Sequence, residues 1–376
     1  MPTGTRRKTR SFSVGTTRIG GDAPVSIQSM TTAPPRDGAA VQRQIAELAE
    51  AGCEIVRVAL PDADCLDAFA EVVRASSLPV IADIHFDWRL AVGAVERGAH
   101  GIRINPGNIG GPENLRRVAH ACREHGTPIR VGVNAGSLDP AIQERYRGPT
   151  PEALAESARR ACDFLEANGC RHIKVSLKTS DVSNTVAAYR RFAADTDYPL
   201  HLGVTEAGTR LNCTVKSAMG IGALLLDGIG DTLRVSLTGE PAAEIRLARR
   251  ILEAAGCRRF CPDVVSCPTC GRTEIDLVGA VQAVEQALAN WERRGQIPNV
   301  RKIAVMGCVV NGPGEAADAD IGLAGGRGKA ALFRDGAVFA TIPEEGMVEA
   351  LLDHLESRLV PKAEYGPRHD SEASGG

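Results

Sequence analysis

Aromatic side chains are scarce: Phe, Trp and Tyr make up 4% of the 376 residues. A surface that stacks nucleobases is therefore not expected. Neither charge sign is in excess, since 44 Lys and Arg face 46 Asp and Glu for a net charge of −2. No global basic field exists to collect nucleic acid or an anionic membrane. No apolar run approaches the roughly 20 residues of a membrane span. Glycine signatures of nucleotide sites are missing as well. No early G-x-G-x-x-G occurs, and Gly325-Gly326-Arg327-Gly328-Lys329 fails the Walker pattern, with Leu323 where the first glycine belongs and Ala330 in place of Ser or Thr. A glycine-rich hairpin is expected there instead. The 11 cysteines are scattered and follow no secretory signal. They read as reduced thiols of a cytoplasmic protein.

What is present is apolar residue in quantity, 43% of a chain long enough for two or three domains. Residues 1–20 are expected as an N-terminal tail, with the basic stretch Met1 to Arg10 solvated. From about Pro24 to Gly256, short β-branched runs alternate with alanine-rich amphipathic segments. The runs are Val25–Ser29, Ile55–Ala59, Val80–Ile84, Gly101–Ile104, Ile129–Val133, His172–Ser176, Leu200–Val204 and Thr232–Ser236. The helical segments include Val41–Ala51, Pro151–Asn168 and Pro241–Ala255, several opening on proline or an acid and ending at Asn-Gly or Ala-Gly. Eight strand–helix units over residues 21–258 suit a TIM (β/α)8 barrel, with a doubly wound open sheet as the alternative.

One formula recurs inside these strands: apolar, cation, β-branched. It appears as Val56-Arg57-Val58, Ile102-Arg103-Ile104, Ile129-Arg130-Val131, Ile173-Lys174-Val175 and Leu233-Arg234-Val235. Strand alternation sends each cation to the face opposite its neighbours, so if those pack on helices the cation enters the barrel. Asp83, Glu206 and Glu54 are too few to neutralise five cations. An anionic ligand is expected, and the arginine fork suits phosphate oxygens. A set of internal salt bridges is the alternative.

Polar residues cluster at the strand ends, the catalytic face of a barrel. Asp83 and His85 share one side of their strand. Ser176 and Ser236 stand two residues beyond a strand cation. Glu206 follows the seventh strand, and the loops Asn105–Asn108 and Asn134–Ser137 offer backbone N–H groups to phosphate.

After Gly256 the pattern changes to a small α+β domain, residues 259–360, and a polar tail, residues 361–376, expected to be disordered. Cys267 and Cys270 form a C-x-x-C pair bounded by proline and glycine. Cys308 follows the apolar run Ile303–Met306, and Glu315 follows the turn Asn311-Gly312-Pro313-Gly314. Three thiolates and a carboxylate suit an iron–sulfur centre with one exchangeable position. Spacing alone leaves a structural zinc open, because Cys257 and Cys261 lie just upstream. The long helix Glu274–Arg293 carries Ile275, Val278, Val281, Val284, Ala287 and Leu288 on one stripe, and a closing helix is expected over Glu344–Arg358.

SCPTCGR (266–272) followed by MGCVVNGPGEAADADIG (306–322) resembles the C-terminal domain of the 4-hydroxy-3-methylbut-2-enyl diphosphate synthase family, in its bacterial two-domain form. QSMT, ADIHF, RINPGNIG, PIRVGVNAGSL, HLGVTEAG, VKSA and GIGDTLRVSL extend the resemblance over residues 10–355 in order. It implies reductive ring opening of 2-C-methyl-D-erythritol 2,4-cyclodiphosphate in the non-mevalonate isoprenoid pathway. It further implies that Arg57, Arg103, Arg130, Asn134, Lys174, Arg234 and Ser236 hold the diphosphate. Asp83, His85 and Glu206 would supply protons, and Cys267, Cys270, Cys308 and Glu315 would hold a 4Fe–4S cluster. Flavodoxin or ferredoxin as electron donor and a head-to-tail homodimer are implied in the same way. The alternative from another class is a zinc-stapled, phosphate-binding barrel lyase without redox activity.

Overall fold

The computed structural model describes residues 6–308 and 318–365, and the chain divides into two compact units between Arg258 and Arg259. In the first, a hairpin of β1 (Phe12–Val14) and β2 (Thr17–Ile19) precedes eight strands. These are β3 (Ser26–Met30), β4 (Ile55–Ala59), β5 (Val80–Asp83), β6 (Gly101–Ile104), β7 (Ile129–Asn134), β8 (Ile173–Lys178), β9 (His201–Leu202) and β10 (Thr232–Leu233). All neighbours pair in parallel, in the order β8-β7-β6-β5-β4-β3-β10-β9. A bridge from Val175 to Leu200, with the Val175 N–H donating to Pro199 O at 2.9 Å, closes the ring. The unit is a TIM barrel, and the open-sheet alternative is excluded.

Helices α1 (Gly38–Ala51), α2 (Leu66–Ala75), α3 (Trp88–Glu96), α4 (Pro112–His125), α5 (Pro140–Tyr146), α6 (Pro151–Ala167), α7 (Val182–Asp195), α8 (Arg210–Leu226) and α9 (Pro241–Ala254) alternate with the strands. Their starts follow local chemistry. Thr150 accepts from the Ala153 N–H with Pro151 in the first turn of α6, and Asp37 caps α1.

The basic N-terminal stretch is not a solvated tail from Arg6 onward. Arg6 pairs with buried Asp231 at 3.0 Å, Arg7 donates to the carbonyls of Thr196 and Tyr198, and Arg10 bonds Asp197 and Glu166. Carbonyls at the N-terminal ends of barrel strands lack partners, and these guanidinium groups supply them. Above this strap, Phe12, Val14 and Ile19 pack on Ile55 and Ile81 and plug the barrel floor.

The second unit is built on a mixed sheet, β11-β13-β14-β15-β16, comprising β11 (Asp263–Ser266), β13 (Lys302–Met306), β14 (Ile321–Gly326), β15 (Lys329–Arg334) and β16 (Ala337–Pro343). The first three run parallel and the rest antiparallel. Gly326 pairs with Lys329, so the glycine-rich segment is the hairpin its composition implies. Helix α10 (Leu277–Arg293) and the closing helix Met347–Glu356 pack Leu277, Val284, Leu288, Leu351 and Leu355 against Ile303, Val305, Ile321 and Leu323. The α10 stripe is rotated from the expected one: Val278 is 54% exposed while Ala280 and Trp291 are buried. The helix begins three residues later than expected, at the Asp276 cap, so Leu277 opens the buried face. Part of the expected tail is ordered too. β12 (Gln296–Pro298) pairs with β17 (Leu359–Pro361), and the Tyr365 hydroxyl donates to Val300 O at 3.1 Å.

Candidate active site

Arg57, Arg103, Arg130 and Lys174 are all buried, with 8%, 5%, 4% and 2% of their surface exposed. Register places Arg103, Arg130 and Lys174 side by side on β6, β7 and β8, all on the inner face. Arg234, just beyond β10, is largely buried. Alternation along β8 adds Ser176 and Lys178 to the same face, and both are buried. Lys178 is a further cation beyond the five expected from the strand formula. It stands two residues past Ser176 in Lys174-Val175-Ser176-Leu177-Lys178, and the period-two pattern could have found it.

Two carboxylates meet these six cations among the described residues. Asp83 lies 3.6 Å from Arg57 Nε, 3.3 Å from Arg103 Nη1 and 3.2 Å from His85 Nε2. Burial alone would raise its pKa, but Arg57, the His85 hydrogen bond and Arg103 outweigh that and hold it well below the ordinary range. The second is Glu244, on the first turn of α9, which grips Arg234 at 3.0 Å on both Nε and Nη2. Helix position gave no hint that it turns inward. Glu54 is not part of the set: it bonds Arg258 at 2.7 Å and the Ile27 N–H at 2.8 Å. Its place just ahead of β4 sends it to the end where the strands begin.

The cations outnumber the carboxylates, and the deficit shows in the hydrogen bonding. Arg130 Nε and Nη1, Lys174 Nζ, Ser176 Oγ and His201 Nε2 are buried without a partner among the described residues. Burial, then the charges of neighbouring cations, lowers the pKa of Lys174 to about 7 and pushes Lys178 and Arg130 well down. For Arg57 burial brings the value to about 10, opposed chiefly by Asp83. His201 is kept neutral by burial and by Arg130, with Nδ1 2.8 Å from Thr232 Oγ1. Unpaired buried donors of one sign are what an anion site requires before its anion arrives. Internal salt bridges, the alternative raised for these strands, account for Arg57, Arg103 and Arg234 and leave Arg130, Lys174 and Lys178.

At the barrel mouth, the His85 side chain is half exposed beside exposed Phe86. Asn134 turns its amide oxygen to Arg103 Nη2 at 3.2 Å. Ser236 is half-buried, and Glu206 is exposed on a backbone with φ of +54°, a strained conformation for a residue with a side chain. The Asn105–Asn108 loop does not present the expected free N–H groups. Gly107 N–H donates to Asn105 Oδ1 at 3.1 Å and Asn108 N–H to Asn105 O at 3.0 Å, closing the turn on itself.

In the second unit, parallel β11 and β13 run side by side, and Cys267 and Cys308 follow their C-terminal ends. The Gly307 N–H donates to Cys267 Sγ at 3.3 Å, which ties the two segments together. Cys270 is exposed, and its thiol pKa is lowered by the Arg272 N–H, the Thr273 hydroxyl and the Arg272 charge against a small burial penalty. The lowered pKa of Cys270 favours thiolate, the form that binds soft metals. Among the described residues no group of three His, Cys, Asp or Glu is gathered as a metal site. Glu315 lies outside the described residues.

Two family models match the chain, the GcpE TIM-barrel domain over residues 9–249 and the GcpE protein C-terminal domain over residues 263–357. The chain is 51% identical to a 4-hydroxy-3-methylbut-2-en-1-yl diphosphate synthase (flavodoxin) of Geobacter sulfurreducens, covering 95% of this chain and 99% of that one. A protein of the same name from Maridesulfovibrio salexigens is 49% identical over 95% of this chain and 98% of its own. Both domains of the family are thus present, in order and nearly at full length, and this chain belongs to the GcpE family.

Proposed function

We propose that the chain is the enzyme that converts 2-C-methyl-D-erythritol 2,4-cyclodiphosphate to (E)-4-hydroxy-3-methylbut-2-enyl diphosphate in the non-mevalonate pathway. The observation that carries this reading is the excess of inward cations over carboxylates in a GcpE-family barrel. Two electrons and a proton enter, the ring C–O bond to phosphate breaks, and a hydroxyl leaves as water. The ligand's charge thereby changes from −2 to −3. Arg57, Arg103, Arg130, Lys174, Lys178, Arg234, Asn134, Ser176 and Ser236 bind the diphosphate and stabilise the charge that appears on it as the ring opens. Asp83 keeps Arg57 and Arg103 in place and orients His85, whose other ring nitrogen is left to meet a substrate hydroxyl. Glu206, held out into the mouth, is the candidate to hold the proton that leaves with water.

Cys267, Cys270, Cys308 and Glu315 are assigned to a 4Fe–4S cluster, the Gly307 N–H contact to the Cys267 sulfur and the lowered thiol pKa of Cys270 fitting that group. Bound there, the cluster would supply electrons one at a time. Flavodoxin, named for the relatives, is the proposed donor, and a head-to-tail homodimer is the proposed assembly. The test is anaerobic purification with iron, sulfide and zinc counted per chain, then turnover of the cyclodiphosphate with reduced flavodoxin. Brown protein with about four irons per chain and product formation are expected. Stoichiometric zinc in a colourless, inactive protein would return the zinc-stapled lyase.

A further inference from the structure

Glu244 is 3% exposed, and four hydrogen bonds converge on its carboxylate. Oε2 accepts from Arg234 Nε at 3.0 Å and from Ser29 Oγ at 2.9 Å. Oε1 accepts from Arg234 Nη2 at 3.0 Å and from the Leu237 N–H at 3.1 Å. Those donors come from β3, from the residue just past β10 and from the loop leading into α9. One side chain therefore ties the first and last barrel strands to the loop that carries Ser236.

We propose that Glu244 is a positioning residue for the phosphate-bearing ligand, acting through Arg234 and Ser236. The inference rests on the reading of those two as diphosphate ligands. Two of the three nitrogens of the Arg234 guanidinium are committed to Glu244, which fixes the plane of the fork. Nη1 is the nitrogen left over, and it lies 3.5 Å from Met30 Sδ on the neighbouring strand. An arginine already held loses no rotamer freedom when an anion arrives. The Leu237 bond does the same for the backbone next to Ser236.

A charge count argues the opposite way. Glu244 is an anion inside an anion site, so by Coulomb's law its removal should tighten diphosphate binding. Positioning requires that removal weaken it. The sign of the effect decides between the two.

The experiment measures inorganic diphosphate binding to the full chain by calorimetry for wild type, Glu244→Gln, Glu244→Asp, Arg234→Met and the double variant Glu244→Gln/Arg234→Met. Glu244→Gln faces Arg234 with an amide N–H in place of one acceptor, and affinity should fall about tenfold. Glu244→Asp keeps the charge but cannot reach both nitrogens, and should fall by less; it also serves if the glutamine variant does not fold. The double variant should be weaker than Arg234→Met alone by less than the loss in Glu244→Gln alone, because the part of the effect that passes through Arg234 is already gone and only the part through the Ser236 loop remains. With the cyclodiphosphate, the loss should appear mainly in KM rather than kcat. Unchanged or tighter binding by Glu244→Gln or Glu244→Asp, while Arg234→Met weakens, would remove Glu244 alone. Full additivity in the double variant would do the same. Normal binding by Arg234→Met would remove the assignment of Arg234, and the role of Glu244 with it.

Discussion

The two units hold their reactive side chains by different means. In the barrel, every cation but Arg234, which follows β10 directly, projects from a strand of the closed sheet, and Asp83 and Glu244 lock three of the arginines further. Cys267 and Cys270 instead stand on the turn that leaves β11, at the rim of a smaller sheet, and Cys270 is exposed. Its local ties are the Thr273 hydroxyl, 3.0 Å from its N–H, and the Thr273 N–H, which donates to its carbonyl. The barrel cations are therefore pre-organised by the fold, whereas the sulfurs would depend on the proposed cluster to hold them together. Local stability follows the same division, since few-contact loops open at low cost and buried strands do not.

That contrast predicts an all-or-none response on the sulfur side. Cys267→Ser, Cys270→Ser or Cys308→Ser should each lose the proposed cluster and turnover completely, because each removes one of its three thiolates. Cys257→Ser and Cys261→Ser should keep their iron. Iron and sulfide counts with the visible spectrum of anaerobic protein read this directly, and a Cys261→Ser protein as bleached as Cys267→Ser would move the ligand set upstream.

The barrel should respond in graded fashion. Arg103→Met and Arg130→Met should each weaken cyclodiphosphate binding by about 10- to 100-fold, the equivalent of one charge-assisted hydrogen bond. The cluster spectrum should not change. Wild-type affinity in both would return these residues to a structural role.

A smaller effect concerns protons. Lys174 has a pKa near 7 in the folded chain against an ordinary 10.5, because it is buried beside Arg130. Between those values the unfolded chain holds a proton that the native one does not, so ligand-free stability should rise with pH from about 7 to 10.5 and level off above. Lys174→Met should flatten that rise. Arg57 and Arg130 face the amine from β4 and β7, and Asp231 is the carboxylate that opposes them. An arriving diphosphate reverses the balance, so binding near pH 8 should draw in protons, fewer in Lys174→Met. Calorimetry in two buffers of different ionisation enthalpy measures the uptake, and equal uptake by both proteins would mean that Lys174 is already charged.

These residues also mark how far the sequence could be read. The barrel, its eight strands and its five formula cations were legible because alternation is a local signal with period two, and β4 and β6 fall on the expected residues. Lys178 obeyed the same rule, but the β-branched residue after it is the polar Thr179, where the other five cations are followed by valine or isoleucine. Glu244 was not legible, since the inward turn of a helical carboxylate depends on where β3 and β10 meet. The strap of Arg6, Arg7 and Arg10 was not legible for a related reason: these partners are carbonyls and carboxylates 156 to 225 residues away. Cysteine spacing pointed to a soft metal without choosing between iron–sulfur and zinc, and the proposed 4Fe–4S assignment rests on the resemblance of the motifs.

The mildest test of barrel pre-organisation is a methyl group. Gly132 shares the inner face of β7 with Arg130 and Asn134, and a Cβ there would sit 2.8 Å from Arg103 Nε and 3.2 Å from Nη2. At Gly203 the corresponding atom would meet Lys178 Nζ at 2.4 Å and the backbone oxygen of Arg234 at 2.7 Å, which no rotamer change can relieve. Gly132→Ala touches a side-chain tip alone, so the strand should stay in place and the guanidinium should shift. Melting temperature should change by less than about 3 °C, while inorganic diphosphate binding weakens by on the order of a few-fold as Arg103 leaves Asp83 and Asn134. In an Arg103→Met background the alanine has no guanidinium to displace, and its effect on binding should vanish. Retention of the full effect there would place the sensitivity in the backbone of β7 and separate Gly132 from the anion site.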